Sequence, residues 1–263
     1  MAEILQLLFL GALAGSLAGL LGVGGGVIIV PALIWIFQTH PEIPASSLMH
    51  IAIGTSLATI ILTSVSSIFA HHRRKAIYWS IVWQLTPGIL LGAWSGATVA
   101  DALPSKTLHF IFALFILMIS VQLSLVTQPT SHRQLPSRLG ITMVGLIIGS
   151  VSAIVGIGGG SLTVPFLAWC NVPLRNAVAT SAACGFPIAL SGTIGFIVMG
   201  WNVTTLPSGS TGYIYWPAFL TIAITSLLFA PLGAKLAHTV PVNLLKRFFA
   251  LFLAGVGIKM LVS

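Results

Sequence analysis

Residues 22–31 read Gly-Val-Gly-Gly-Gly-Val-Ile-Ile-Val-Pro, and residues 156–165 read Gly-Ile-Gly-Gly-Gly-Ser-Leu-Thr-Val-Pro. Both runs lie inside long apolar stretches of a chain that is 57% hydrophobic and 5% charged. Each glycine costs a helix about 1 kcal/mol relative to alanine, so three in succession break one. In a bilayer such a break frees N–H and C=O groups that lipid cannot satisfy. Two breaks at matching places in two halves therefore point to solute sites in a transporter built from an internal repeat.

A mean hydropathy of +1.07 excludes an ordinary soluble domain and indicates a polytopic membrane protein. The start, Met-Ala-Glu, has no basic n-region, so no cleaved signal peptide is expected. Cys170 and Cys184 have no metal-type spacing and form no Cys-x-x-Cys pair. The net charge of +8 comes from 11 Lys+Arg against 3 Asp+Glu. In a soluble chain that balance would suggest nucleic acid. Here the basic residues sit mostly in short loops, where they set orientation.

Eight apolar segments are long enough to matter against the ~20 residues of a spanning helix. They run over 4–37 and 139–170, each with a glycine break inside, and over 48–70, 78–100, 106–126, 176–200, 213–236 and 242–262. The chain is one integral membrane domain, 1–263, with repeats 1–126 and 139–263 joined by the polar stretch 127–138. The repeat extends past the glycines. Gly11, Gly15 and Ser16 match Gly145, Gly149 and Ser150, and Trp35 matches Trp169. Thr55-Ser56 matches Thr180-Ser181, Tyr78-Trp79 matches Tyr215-Trp216, and Pro104 matches Pro241.

Charge decides how the halves are related. If every segment crosses once, Lys and Arg divide almost evenly and orient nothing. If each glycine-broken segment enters and leaves on one face, Arg73, Arg74, Lys75, Arg133, Arg138, Arg175, Lys235, Lys246 and Arg247 share a side. Only Lys106 and Lys259 face the other, which is a clear positive-inside signal. The expected fold is therefore an all-α membrane protein of two inverted four-segment repeats. Each repeat carries one Gly-Gly-Gly-broken, re-entrant helix. The rival is a tilted full span followed by a half-helix, which leaves the charges unexplained.

A half-helix starting after each glycine run turns its free N–H groups and partial positive charge toward the turn. Two such ends near the bilayer midplane would bind an anion without a charged side chain. The candidate substrate-binding residues are Gly24, Gly25, Gly26, Gly158, Gly159, Gly160 and Ser161, with Thr55, Ser56, Thr180 and Ser181 as hydroxyl donors. Close helix packing through small residues is the competing account of the glycines. Back-bonding to the preceding helix turn is the competing account of the hydroxyls. His50 and Arg175 occupy matching positions at segment mouths, as anion-gathering entrance residues or as snorkelling interfacial ones.

Glu3, Glu42 and Asp101 are the only carboxylates, and each lies near a segment end or in a loop. Carboxylate relays for protons or sodium are usually placed at membrane centres, so that coupling is disfavoured. No metal-ligand spacing, P-loop or βαβ dinucleotide unit appears, so no metal and no cofactor is expected. No nucleophile–base pair sits in the apolar segments, so no enzymatic activity is expected.

The repeated Gly-x-Gly-Gly-Gly with its following Pro, the Ala-Thr-Ser of 179–181 and the eight apolar segments resemble the sulfite exporter TauE/SafE family. The resemblance covers nearly the whole chain. It implies a bacterial inner-membrane permease for sulfite, sulfoacetate or a related organosulfonate. The first half has Gly54-Thr55-Ser56 where the second has Ala179-Thr180-Ser181, so the two hemisites need not contribute equally. The expected partners are a small anionic solute and the lipid bilayer, with no nucleic acid, and the chain works as a monomer or homodimer. The expected function is alternating-access transport of that anion. A carrier or channel for another small solute, an organic acid or a metal ion, is the alternative.

Overall fold

The structure, a computed structural model, describes residues 2–21, 25–125, 134–236 and 242–262. The expected 4–37 segment is two helices, α1 (Ala2–Leu21) and α2 (Gly26–Phe37). They are followed by α3 (Leu48–Arg73), α4 (Trp79–Ala102) and α5 (Ser105–Leu125). The 139–170 segment divides in the same way, into α6 (Arg138–Val155) and α7 (Gly160–Trp169). Next come α8 (Leu174–Met199), the strands β1 (Ser210–Thr211) and β2 (Ile214–Tyr215), then α9 (Trp216–Leu236) and α10 (Val242–Val262). Each short helix carries a proline six residues from its start or nearly so, Pro31 in α2 and Pro165 in α7.

The hairpin was not legible in sequence, where 201–212 reads as a polar break. It pairs Ser210 with Tyr215 and Thr211 with Ile214. Gly212 turns it with φ of +55°, a conformation that favours glycine.

α3 and α8 form the centre. Each has 26 residues, about 39 Å of helix against a hydrocarbon core of about 30 Å. Residues 48–60 of α3 are buried without interruption, as expected of a helix that is apolar on all sides. The outer helices turn large apolar side chains outward: Trp83 and Leu91 on α4, Phe110 on α5, Met143 and Ile147 on α6, Leu228 on α9. α3, residues 105–124 of α5, α6 and α8 are long and apolar enough to cross a membrane. The protein is a multi-pass helical membrane protein.

Glycines set the helix pairing. Gly54, Gly192 and Gly185 meet Phe196, Leu57 and Ser64, so α3 and α8 run antiparallel. Gly88, Gly92 and Gly96 of α4 pack on Thr142, Leu146 and Ser150 of α6, so those two run parallel. Gly11 and Gly15 of α1 pack on Ile222 and Ser226 of α9, again in parallel. A Cβ on Gly92 would stand 2.1 Å from the Leu146 carbonyl oxygen. This is backbone-to-backbone packing, which only small residues permit in a membrane. α5 and α10 run antiparallel, tied by the Ser120 hydroxyl donating to the Ala250 carbonyl at 2.7 Å.

Candidate functional site

The second glycine run is built by two helix ends. α6 stops at Gly156, whose φ is +75°. Its N–H donates to the Ala153 carbonyl at 3.3 Å, and the Ile157 N–H donates to the Ser152 carbonyl at 2.9 Å. This pair of bonds satisfies carbonyls that the helix end leaves orphaned. α7 then starts from Gly159, φ +74°, whose carbonyl accepts from the Thr163 N–H at 2.8 Å. In the first half α2 starts from Gly25, φ −68°, whose carbonyl accepts from the Ile29 N–H at 2.9 Å. Gly24 lies outside the described residues.

The two turns touch. A Cβ on Gly26 would stand 2.5 Å from the Gly156 carbonyl oxygen and 3.0 Å from the Ile157 Cα. A Cβ on Gly185 of α8 would stand 2.9 Å from the Gly158 carbonyl oxygen. Gly26 and Gly158 both pack on Ile60, half-way along α3. So the second turn is wedged between the start of α2 and the middles of α3 and α8.

Of the hydroxyl candidates, only Ser56 and Ser161 join the turns. Ser56 Oγ donates to the Gly156 carbonyl at 2.9 Å, a buried bond between the halves. Thr55 Oγ1 accepts from the Tyr215 N–H and Thr180 Oγ1 accepts from the Tyr78 N–H, each at 3.1 Å. Each threonine thus holds the Tyr-Trp start of a helix from the opposite half. Ser181 Oγ donates to the Val178 carbonyl at 2.8 Å within its own helix.

Ser161 Oγ is buried without a hydrogen-bond partner, and so are Ser152 Oγ and Thr163 Oγ1. Their residues are 7%, 1% and 0% exposed. Ser152 Oγ and Thr163 Oγ1 both lie within 3.6 Å of the point where a Cβ on Gly159 would sit. Buried hydroxyls are normally satisfied, so three orphans, one in the last turn of α6 and two in the first turn of α7, mark a place where a ligand can accept from them. Ser152 and Thr163 were not singled out from sequence.

His50 and Arg175 stand at opposite ends of the α3–α8 pair. His50 is buried, 4% exposed, and is not a snorkelling residue. Its Nε2–H donates to the Ala100 carbonyl at 3.1 Å, and its ring stacks on Tyr213 at 5.0 Å. Tyr213 in turn donates its hydroxyl to Asp101 at 2.8 Å. Arg175 is exposed at the start of α8. Beside it Asn176 donates from its side-chain amide to the Ala76 carbonyl at 2.9 Å. Outside the helices, Ser208 donates to Glu42 from its hydroxyl at 2.8 Å and its N–H at 3.2 Å. Those bonds hold the Glu42 carboxyl below its ordinary value.

Among the described residues, no group of three or more His, Cys, Asp or Glu could hold a metal ion. The arrangement offers neutral hydroxyls and a helix N-terminus whose free N–H groups can donate to a ligand.

Residues 7–260 match the family described as sulfite exporter TauE/SafE. A probable membrane transporter protein of Haemophilus influenzae is 40% identical over 260 residues, covering 98% of this chain and 97% of its own. A protein of the same description from Methanocaldococcus jannaschii is 28% identical, covering 97% of this chain and 94% of its own. Another from Bacillus subtilis is 25% identical, covering 95% and 96%. No solved structure gives a significant match. The chain belongs to the sulfite exporter TauE/SafE family.

Proposed function

We propose that this TauE/SafE-family protein transports a small sulfur-containing anion, sulfite, sulfoacetate or a related organosulfonate, across the bacterial inner membrane by alternating access. The observation that carries this reading is the meeting of the two glycine turns beside the midpoints of α3 and α8, with unpartnered hydroxyls around the start of α7. Helix N-termini stabilise anions through free N–H groups and the macrodipole. The sulfur chemistry rests on the description of the family.

The halves act as inverted repeats, with α1–α2 and α6–α7 as re-entrant hairpins. Parallel pairing of α1 with α9 and of α4 with α6, and antiparallel pairing of α3 with α8 and α5 with α10, are what a two-fold axis in the membrane plane generates. α2 also comes back toward the start of α9, with Phe37 edge-on to Tyr215 at 5.8 Å between ring centroids. Gly25, Gly26, Gly158, Gly159, Gly160 and Ser161 form the centre of the site, and Gly24, outside the described residues, stays a candidate by sequence alone. Thr55, Ser56, Thr180 and Ser181 hold its surroundings in place, because their hydroxyls bond to backbone groups. His50 and Arg175 mark the two entrances.

The test is a thermal-shift panel on purified protein, with sulfite, thiosulfate, sulfate, sulfoacetate and taurine set against acetate, phosphate and divalent metal chlorides. A ligand that binds the folded state raises its melting temperature by mass action. A selective shift from a sulfur anion supports the assignment. No such shift, where an organic acid or metal ion does stabilise the protein, replaces it with a carrier or channel for that solute.

A further inference from the structure

We infer that the transported ligand is held by the second glycine turn alone, through Ser152, Ser161 and Thr163, and that the group held there is a singly charged headgroup with three acceptor oxygens. This rests on the reading of the glycine turns as the transport site.

The two turns share a sequence pattern but not a chemistry. At the offset that aligns Gly22 with Gly156, Ser152 faces Ala18, Ser161 faces Val27 and Thr163 faces Ile29. All three hydroxyl positions of the second half are apolar in the first. Val27 and Ile29 are fully buried and need no partner. The backbones differ as well, since α7 starts from a left-handed Gly159 and α2 from a right-handed Gly25. The first turn therefore supplies a backbone and apolar wall, and the second supplies the donors.

Those donors define the ligand. Three hydroxyls with no partner of their own, beside the N–H groups that open α7, present hydrogens to a ligand that accepts from several directions. A three-oxygen headgroup of the sulfonate type meets that requirement, and a two-oxygen carboxylate meets it less completely. Among the described residues Arg73, Lys106, Arg138, Arg175 and Lys259 lie in the first or last turns of their helices, and Arg74 and Lys75 directly follow α3. Among the described residues, the charge of a ligand in this turn is balanced by neutral dipoles. In the Born picture the cost of desolvating an ion grows with the square of its charge, so a dianion pays roughly four times as much as a monoanion. The turn therefore selects a single charge: hydrogensulfite over the sulfite dianion, and a sulfonate headgroup with any second charge held outside the turn.

The experiment is calorimetric titration of the purified full-length protein with methanesulfonate, sulfate and acetate. It is done on the wild type, on Ser161→Ala, Thr163→Val and their double variant, and on Gly26→Ala. Wild type binds methanesulfonate at least about ten-fold more tightly than sulfate. The double variant loses about ten-fold or more in methanesulfonate affinity, as expected for two charge-assisted hydrogen bonds. The single variants lose part of that, which keeps the test usable if the double variant does not fold. Equal binding of sulfate and methanesulfonate overturns the charge selection. Unchanged binding in the hydroxyl variants, with binding weakened in Gly26→Ala, overturns the second-turn assignment and leaves the glycine-turn site standing. No oxyanion binding by wild type overturns both readings together.

Discussion

Gly26→Ala is the most incisive single change to the contact between the turns. The added Cβ would lie 2.5 Å from the Gly156 carbonyl oxygen, where ordinary contact begins near 3.4 Å. One turn must move away by about 0.9 Å. The obstacle is backbone on both sides, so no rotamer change relieves it. Overpacking of this kind costs about 1–3 kcal/mol. The Gly156 carbonyl also accepts the Ser56 hydroxyl at 2.9 Å, and a shift of that size lengthens the bond beyond its useful range. Its loss adds about 1 kcal/mol. Against this, alanine gains at most about 1 kcal/mol in helix propensity at the first residue of α2. The net expectation is a loss of about 1–3 kcal/mol and a larger loss of transport. Gly255→Ala is the control, because a Cβ there meets nothing within 4 Å and only the propensity gain remains. Thermal unfolding in detergent should separate the two variants by several degrees, Gly26→Ala below wild type and Gly255→Ala at or above it. Equal melting temperatures would refute the inference that the glycine turns are in backbone contact.

Ser56→Ala should leave the buried Gly156 carbonyl unsatisfied and cost about 1–3 kcal/mol in the same unfolding assay. Thr55→Val and Thr180→Val should each cost about 1 kcal/mol, and the double variant should show the sum within about 0.5 kcal/mol, because the tethers lie at opposite ends of the α3–α8 pair. Glu42 has a folded-state pKa lowered below 4.5 by its two bonds from Ser208. Its contribution is therefore complete above pH 4.5 and is lost as pH falls through the folded value. Protection of the Ser208 amide, taken relative to the intrinsic exchange rate at each pH, should fall in that acid window in wild type and already be low at neutral pH in Glu42→Ala, while Thr205→Ala leaves its pH dependence unchanged.

The helical segments were legible because lipid imposes a simple rule. A spanning backbone must satisfy itself, so apolar length maps onto helix almost directly. The two glycine breaks fell where α1 gives way to α2 and α6 to α7, and at the second Gly156 and Gly159 adopt a positive φ that favours glycine. The glycines at four-residue spacing in α4, which pack closely on α6, were not singled out from sequence. The 210–215 hairpin escaped notice because two-residue strands carry no periodicity, and its turn depends on a Gly-Tyr pair rather than a strong turn dipeptide.

The site was only half legible, for a reason that separates two kinds of residue. A helix-breaking glycine acts through its own backbone, so its role is written locally. A hydroxyl acts through whatever happens to face it, and that is decided by the fold. Thr55 and Ser56 looked like equivalent donors, yet one accepts from Tyr215 and the other donates to Gly156. Ser152 and Thr163 looked unremarked among their apolar neighbours, yet burial without partners sets them apart. One signal for them did exist. Aligning the halves on their glycines places hydroxyls at 152, 161 and 163 over Ala18, Val27 and Ile29. In a repeat protein the positions where the copies agree maintain the shared architecture. The positions where they disagree in polarity, at a buried helix start, are where a single asymmetric ligand can leave its mark on one copy alone.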